Sequence, residues 1–428
     1  MTVDETPPPA STVSQSGGGR ADQGGVANTG VIHGGVRSEF HVHHEHHHYP
    51  APGWRPRFHR SVSRRSLIRA AAGWGLGASA TAVAWRYAPG PGHRSLLKPD
   101  VTPRARPSAT AMSETDEPYD TEGRLIGPAG ATVWSVALGT LRGEPLAVVG
   151  RSDGSLQLWN PVAGKARGRP LPGHRDKVFG LALHGAMAVS GSIGGDLLVW
   201  DVTSDPPRST VLADGITDGV NGVALGTVEG RIVAVSASGD RTVRVWDPAN
   251  PGRSGRVLGS VLTAAVNSVA VGVVDRRTIA VTGSADGAVT LWDVTGERML
   301  RRLGSHRAKV WALAVGAVDG VPVAVSGSED GVLRKWALGM AQSPGETLVR
   351  LPKAVKSVAI GELAGRTVAV AACDDSSVSV WDLGTGDTYG RGLTGPTAAA
   401  QAIAISDFTG RPTVVSGHYD GTIWAWTP

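Results

Sequence analysis

Seven tryptophans, Trp159, Trp200, Trp246, Trp292, Trp336, Trp381 and Trp426, each close a run of the form V-x-G-S-x-D-G-x-V-x-V-W-D. Successive members lie 41, 46, 46, 44, 45 and 45 residues apart. A period of this length marks a repeat architecture, because one such unit cannot bury its apolar face alone and must stack on neighbours. Within each period the apolar residues alternate with polar ones and are bounded by Asp-Gly or similar turn pairs, the signature of antiparallel strands. Four strands are readable per repeat. The first is V-x-x-V-A-x-G, as in residues 133–139 and 310–316, and the second is V-A-V-S-G-S, as in 323–328. The third holds the tryptophan, as in 243–247 and 378–382, and a short fourth reads R-x-L-x-G-H.

These runs and their spacing resemble the WD40 repeat family over 125–428. The resemblance implies a seven-bladed β-propeller and a buried tetrad in each blade. In that tetrad the Trp lies on the third strand, Ser or Thr on the second, Asp in the turn between them, and His in the loop leading into the blade. The turn Asp stands six residues before the Trp at Asp153, Asp240, Asp286, Asp330, Asp375 and Asp420, whereas the second repeat has Gly194 there. The hydroxyl stands ten before it at Ser190, Ser236, Thr282, Ser326 and Ser416, but Val149 and Ala371 occupy that place in the first and sixth repeats. The loop His is found as His174 and His306, so His306, Ser326, Asp330 and Trp336 form the one complete set. A Ser–His–Asp grouping invites comparison with a hydrolase triad. Its spacing instead ties a turn to a loop and a hydroxyl into the sheet, where buried polar groups must be paired.

The last repeat stops at Trp426-Thr-Pro428, one strand short of a blade. The surplus strand is 122–127 (EGRLIG), which resembles the fourth-strand runs at 299–304 and 389–393. Pairing it with the final three strands closes the ring and hides a sheet edge. The expected fold is therefore all-β, a seven-bladed WD40 β-propeller of four-stranded antiparallel blades over 122–428. A disordered N-terminal region with one short apolar helix precedes it.

Residues 1–62 form a tail rich in Gly, Pro, Ser and His without apolar period, which reads as disordered. The segment 28–43 partly alternates apolar and polar residues, and its N-x-G-V-I-x-G core resembles amyloid-type signalling motifs of bacterial conflict proteins. Such motifs stack identical short segments in register. Histidines 41, 43, 44, 46, 47 and 48 crowd a flexible stretch, where metal binding is adventitious because no geometry is preorganised. Residues 63–88 begin Ser63-Arg64-Arg65 and continue through sixteen uncharged residues, 70–85. This resembles a twin-arginine export signal, with Arg64 and Arg65 as its pair. As a helix that core spans ~24 Å against ~30 Å of hydrocarbon, so a cleaved signal, an uncleaved anchor around 66–85 and a soluble basic helix stay open. A Pro-rich linker follows at 89–121. The abundance of Arg over Lys, with Ala, Gly and Val, is that of a GC-rich, actinobacterial-type genome.

Charge excludes little: 42 basic and 37 acidic residues nearly balance, and no Lys/Arg stripe with interleaved aromatics points to nucleic acid. The single cysteine, Cys373, rules out an intrachain disulfide framework and a Cys-rich zinc site, and reads as a small buried filler. No phosphate-binding glycine loop, HExxH or nucleophile elbow occurs in the repeats, so no catalytic residue, cofactor or metal site is expected. The informative variation falls just after the leading apolar residue of the first strand, at Trp134, Phe179, Asn221, Asn267, Trp311, Lys356 and Gln401. In the family this place lies near the narrow propeller face, which makes these seven candidates for a partner-binding face. Packing between blades is the alternative. Function is expected to be non-enzymatic: a monomeric propeller, membrane-tethered or exported, that scaffolds or senses protein or peptide partners. A cytoplasmic signalling protein that self-assembles through 26–48 is the alternative. An exported propeller enzyme would need a charged cluster at equivalent blade positions, and only Lys356 qualifies.

Overall fold

A computed structural model describes residues 120–339, 345–408 and 410–428 of the protein. The tail at 1–62, the signal or anchor at 63–88 with Arg64 and Arg65, and nearly all of the linker lie outside the described residues. Among these residues there is no helix; every regular element is a strand.

The strands group into seven antiparallel sheets, six of them built from consecutive segments. Blade 1 contains Val133–Leu141, Glu144–Arg151, Leu156–Asn160 and Lys165–Leu171, and blades 2 to 5 repeat the pattern. Blade 7 takes its outer strand from the other end of the described chain. Arg124–Gly127 pairs antiparallel with Ile423–Trp426, placing Arg124 opposite Ala425 and Gly127 opposite Ile423. The ring is thus closed by backbone hydrogen bonds between distant segments, and the last third strand keeps no open edge. In blade 2 the first hairpin is tight, with His184 opposite Met187 and Gly185 at φ 56°, which accounts for the shorter second period.

Blade 6 departs from the expectation of four strands. Residues 389–393 read as an outer strand, yet only isolated bridges join Trp381 to Thr388 and Val378 to Leu393. Gly390 and Gly392 sit at φ 72° and 92°, and a backbone in the left-handed region cannot hold a continuous ladder.

First strands of successive blades touch one another around the axis, and Ala400–Asp407 of blade 7 meets Val133–Leu141 of blade 1. The core follows this geometry. It is seven apolar clusters, each shared by two adjacent blades, such as Val133, Val136 and Val149 with Ala402, Val415 and Ile423 at the closing interface. The glycine of V-S-G-S exists for this contact. A Cβ on Gly417 would lie 2.1 Å from Val133 Cγ1, and one on Gly327 would lie 2.4 Å from Val355 Cγ1. Two blades have alanine at this place: Ala372 of blade 6 meets the smaller leading residue Ala400, whereas Ala237 of blade 3 packs with a leading Val266.

Gly417→Ala is therefore expected to overpack the closing interface and cost about 1–3 kcal/mol in urea denaturation. Gly130→Ala, whose added methyl meets nothing within 4 Å, serves as the control and should change stability by less than about 0.5 kcal/mol.

Candidate functional site

The tetrad residues come together as a hydrogen-bonded chain in blade 5. Trp336 Nε1–H donates to Ser326 Oγ at 2.8 Å, and Ser326 Oγ lies 2.7 Å from His306 Nε2. Because the hydroxyl already accepts from the indole, its own proton goes to Nε2, which fixes His306 as the Nδ1–H tautomer. Nδ1 then faces Asp330 Oδ1 at 3.4 Å, while Asp330 Oδ2 accepts the Arg307 N–H across the turn-to-loop gap. Burial lowers the His306 pKa to about 4, against the raising pull of Asp330. Burial raises the Asp330 carboxyl, but the N–H groups of Arg307 and Val332 outweigh it and hold the group below its ordinary value. Ser326 has no solvent exposure, so this group cannot meet a substrate.

Other blades show what each missing member costs. In blade 2, Ser190 Oγ takes Trp200 Nε1–H at 2.7 Å and reaches His174 Nε2 at 2.6 Å, but with Gly194 in place of Asp the His174 Nδ1 has no partner. Burial lowers its pKa to about 4. Trp246 and Trp292 donate to Ser236 and Thr282 at 2.9 and 2.8 Å. With Val149 in the hydroxyl position, Trp159 Nε1 is left without an acceptor, and with Ala371 there, Trp381 turns to Ser379. Blade 7 rearranges altogether. Trp426 donates to the Thr394 carbonyl, and Ser416 Oγ instead lies 2.6 Å from Nε2 of His418. His418 Nδ1 donates to the Ala398 carbonyl, so a strand histidine supplies the imidazole that the loop does not. The turn aspartates act locally as well. Asp153, Asp240, Asp286, Asp330, Asp375 and Asp420 each accept the backbone N–H two residues on. Cys373 is buried, and burial pushes its thiol up to about 11, which removes it as a nucleophile at neutral pH.

The seven variable positions share one feature that no spacing revealed. Trp134, Phe179, Asn221, Asn267, Trp311, Lys356 and Gln401 are each the extra residue of a β-bulge in the first strand. In blade 1, for example, Val133 pairs with Arg151 and Ser135 with Gly150. A bulge re-aims the side chain it carries. All seven lie at the axial end that also bears the turn aspartates, since the first strand begins where the second one ends. They are mostly sunk below the rim: Trp134 is 3 % exposed and Gln401 3 %, with Phe179, Trp311 and Lys356 at 8 %. Asn221 and Asn267 donate to the Val266 and Val310 carbonyls, stitching blade 3 to blade 4 and blade 4 to blade 5.

A second set of variable positions faces the first. It is the turn residue before each Asp: Ser152, Ile193, Gly239, Ala285, Glu329, Asp374 and Tyr419. In every blade its N–H donates to the carbonyl of the residue preceding the first strand, at 2.8–3.1 Å. Three contacts join the two sets. Tyr419 stands edge-on to Trp134 at 6.2 Å, Ile193 packs on Trp134 and Phe179, and Asp374 lies 3.7 Å from Lys356. Trp134 and Phe179 are 4.9 Å apart and form a cluster separate from the interblade core. Lys177 lies 5.8 Å over Trp134, and Lys309 and Lys356 lie 5.3 and 5.7 Å over Trp311. Of the aromatic residues in this group only Tyr419, half exposed at 49 %, stands clear of the surface; the acidic turn residues Glu329 and Asp374 are exposed as well.

Residues 209–247 match the family described as WD domain, G-beta repeat. The match runs from the outer strand of blade 2 through three strands of blade 3 and ends one residue past Trp246. That offset between sequence repeat and blade is the one that leaves the last repeat a strand short. No curated protein matches the chain.

The three buried imidazoles set an acid limit on stability. Their native pKa values are depressed, to about 4 for His174 and His306, below the ordinary 6.5. Neutral histidine therefore stabilises the fold fully above about pH 6.5, and this contribution is lost as pH falls toward 4, by at most about 3 kcal/mol per residue. The double variant His174→Gln/His306→Gln should show a shallower loss of urea stability between those limits than the unaltered chain.

Proposed function

We propose that this propeller is a non-enzymatic interaction module whose partner, a protein or peptide, docks on the axial end defined by the bulge residues. The observation that carries the reading is the aromatic stack there. Tyr419 stands edge-on to Trp134, which in turn packs on Phe179, and an aromatic half open to solvent beside a desolvated base is the usual composition of a binding hot spot. The two variable positions per blade are held by invariant backbone bonds, so the end presents fixed places with changeable chemistry, which suits selective recognition. The protein acts as a monomeric scaffold or sensor. Its propeller is carried outside the cytoplasm by the 63–88 segment, as cleaved signal or as anchor, the reading favoured by Ser63-Arg64-Arg65 and the uncharged stretch after it. The segment resembling assembly motifs, within 26–48, favours one alternative, a cytoplasmic receptor that clusters through its tail.

Photo-reactive benzoylphenylalanine placed at Tyr419 in the full chain should trap host proteins that the same group at Val273, exposed at the opposite axial end, does not. Equal adducts at both sites, or none at Tyr419, removes the partner-face reading. For location, the N-terminal residue of the mature chain is determined in each cell fraction. A start near Trp85 outside the cytoplasm fits export, an intact Met1 in membranes fits an anchor, and an intact soluble chain supports the cytoplasmic alternative.

A further inference from the structure

Among the lysines that lie over tryptophans at the axial end, Lys356 and Lys177 differ in one respect. Lys356, over Trp311, has Asp374 at 3.7 Å as counter-charge. Lys177, over Trp134, has no such partner: among the described residues no carboxylate comes within ion-pairing distance of its Nζ. The surroundings of Lys177 are otherwise apolar or donors. Phe179 and Ile193 complete the cluster, Tyr419 caps it, and Trp134 Nε1 is buried without an acceptor. Of these groups the half-buried Lys177 is the one a ligand can reach, and an ammonium only donates, so the demand at this place is for an anionic acceptor beside apolar surface. The carboxylates nearest in the fold do not meet it. Asp153, Asp176 and Asp420 each turn one carboxylate oxygen to a nearby backbone N–H, and none of them forms an ion pair with Lys177.

From this we infer that the sector formed by blades 7, 1 and 2 recognises a peptide segment in which a large apolar residue stands next to a carboxylate. The apolar side chain lies against Tyr419, behind which Trp134 and Phe179 are buried, and the carboxylate pairs with Lys177. The inference rests on the proposed partner face and specifies its ligand. Partly desolvated charge pairing of this kind contributes more to selectivity than to raw affinity. A polyanionic nucleic acid is the poorer fit, because it draws its affinity from several phosphate contacts on an open cationic surface, whereas Lys177 is half-buried against an aromatic cluster.

The test is a peptide array in which a central residue pair is varied over all amino acids and probed with the full chain. The unaltered chain should favour Phe, Leu, Trp or Tyr beside Asp or Glu, by about tenfold in Kd over the Gln counterparts in solution titration, a preference that shrinks at high salt. Lys177→Glu should turn the preference toward Lys or Arg beside the same apolar residues. Lys177 is only half-buried, and Lys177→Gln, which should abolish the charge preference without reversing it, keeps the test open if the Glu variant melts early. An array with no charge preference, an unchanged preference in both variants, or no binding at all overturns the inference. Binding that ignores charge but is lost in Tyr419→Ala overturns the acidic ligand while keeping the partner face.

Discussion

Everything in this ring depends on one contact repeated between neighbours: the leading apolar residue of a first strand seated against a glycine, or in blades 3 and 6 an alanine, on the preceding blade's second strand. A blade has two apolar faces and no core of its own. Each cluster of buried side chains belongs to two blades, so stability accumulates pair by pair and the last pair is as necessary as the first. That is why the ends of the propeller must meet. The strand at Arg124–Gly127 completes blade 7 with only a few paired residues, but it also brings Ile126 into the closing cluster, which joins local hydrogen bonding to burial across the seam. Tryptophans such as Trp200 and Trp336, almost wholly buried, each remove about 200 Å² from water, on the order of 5 kcal/mol, against which one indole hydrogen bond contributes about 1 kcal/mol. Apolar packing therefore supplies most of the stability, and the polar chain selects the geometry.

This ranking explains how blades survive with incomplete tetrads. Loss of the hydroxyl at Val149 and Ala371 strands or redirects one indole N–H but leaves the ring in place. The cost is a modest penalty per blade. In blade 7 the substitution is more thorough. His418 occupies the strand position held by Ser192, Ser238, Ser284 and Ser328 in other blades, and it reaches back to Ser416 and forward to the Ala398 carbonyl. The imidazole arrives from a different point in the chain and satisfies the same hydroxyl in the same tautomer.

The period, the tryptophans, the turn aspartates and the surplus N-terminal strand are legible in the sequence because each obeys a local rule: alternation, turn chemistry, or a missing fourth strand. Three features are not. The outer strand of blade 6 has the right residues by similarity, but two glycines in left-handed conformation break its ladder, and glycine does not announce its φ. His418 escapes a spacing rule that looks for histidine in a loop. The bulges are invisible as geometry, though not as variation. A position that changes in nearly every repeat while its neighbours stay Val and Ala is one whose side chain has left the repeat's shared packing. The same reasoning finds Tyr419, since the residue before each turn Asp varies as widely.

The matched variation of those two positions bears on what the axial end is for. Were the bulge residues only filling the axis, any apolar side chain would serve and the turn residues would have no reason to follow them. Instead aromatic meets aromatic at Trp134 and Tyr419, apolar meets aromatic at Ile193 and Phe179, and base meets acid at Lys356 and Asp374. Where the match is complete, as at Lys356, the pair closes on itself. Lys177 is the place where it is left incomplete, over a tryptophan whose own N–H is also unmet. A half-buried cation left without a counter-charge, beside apolar surface, costs the fold least where something from outside the chain can meet it.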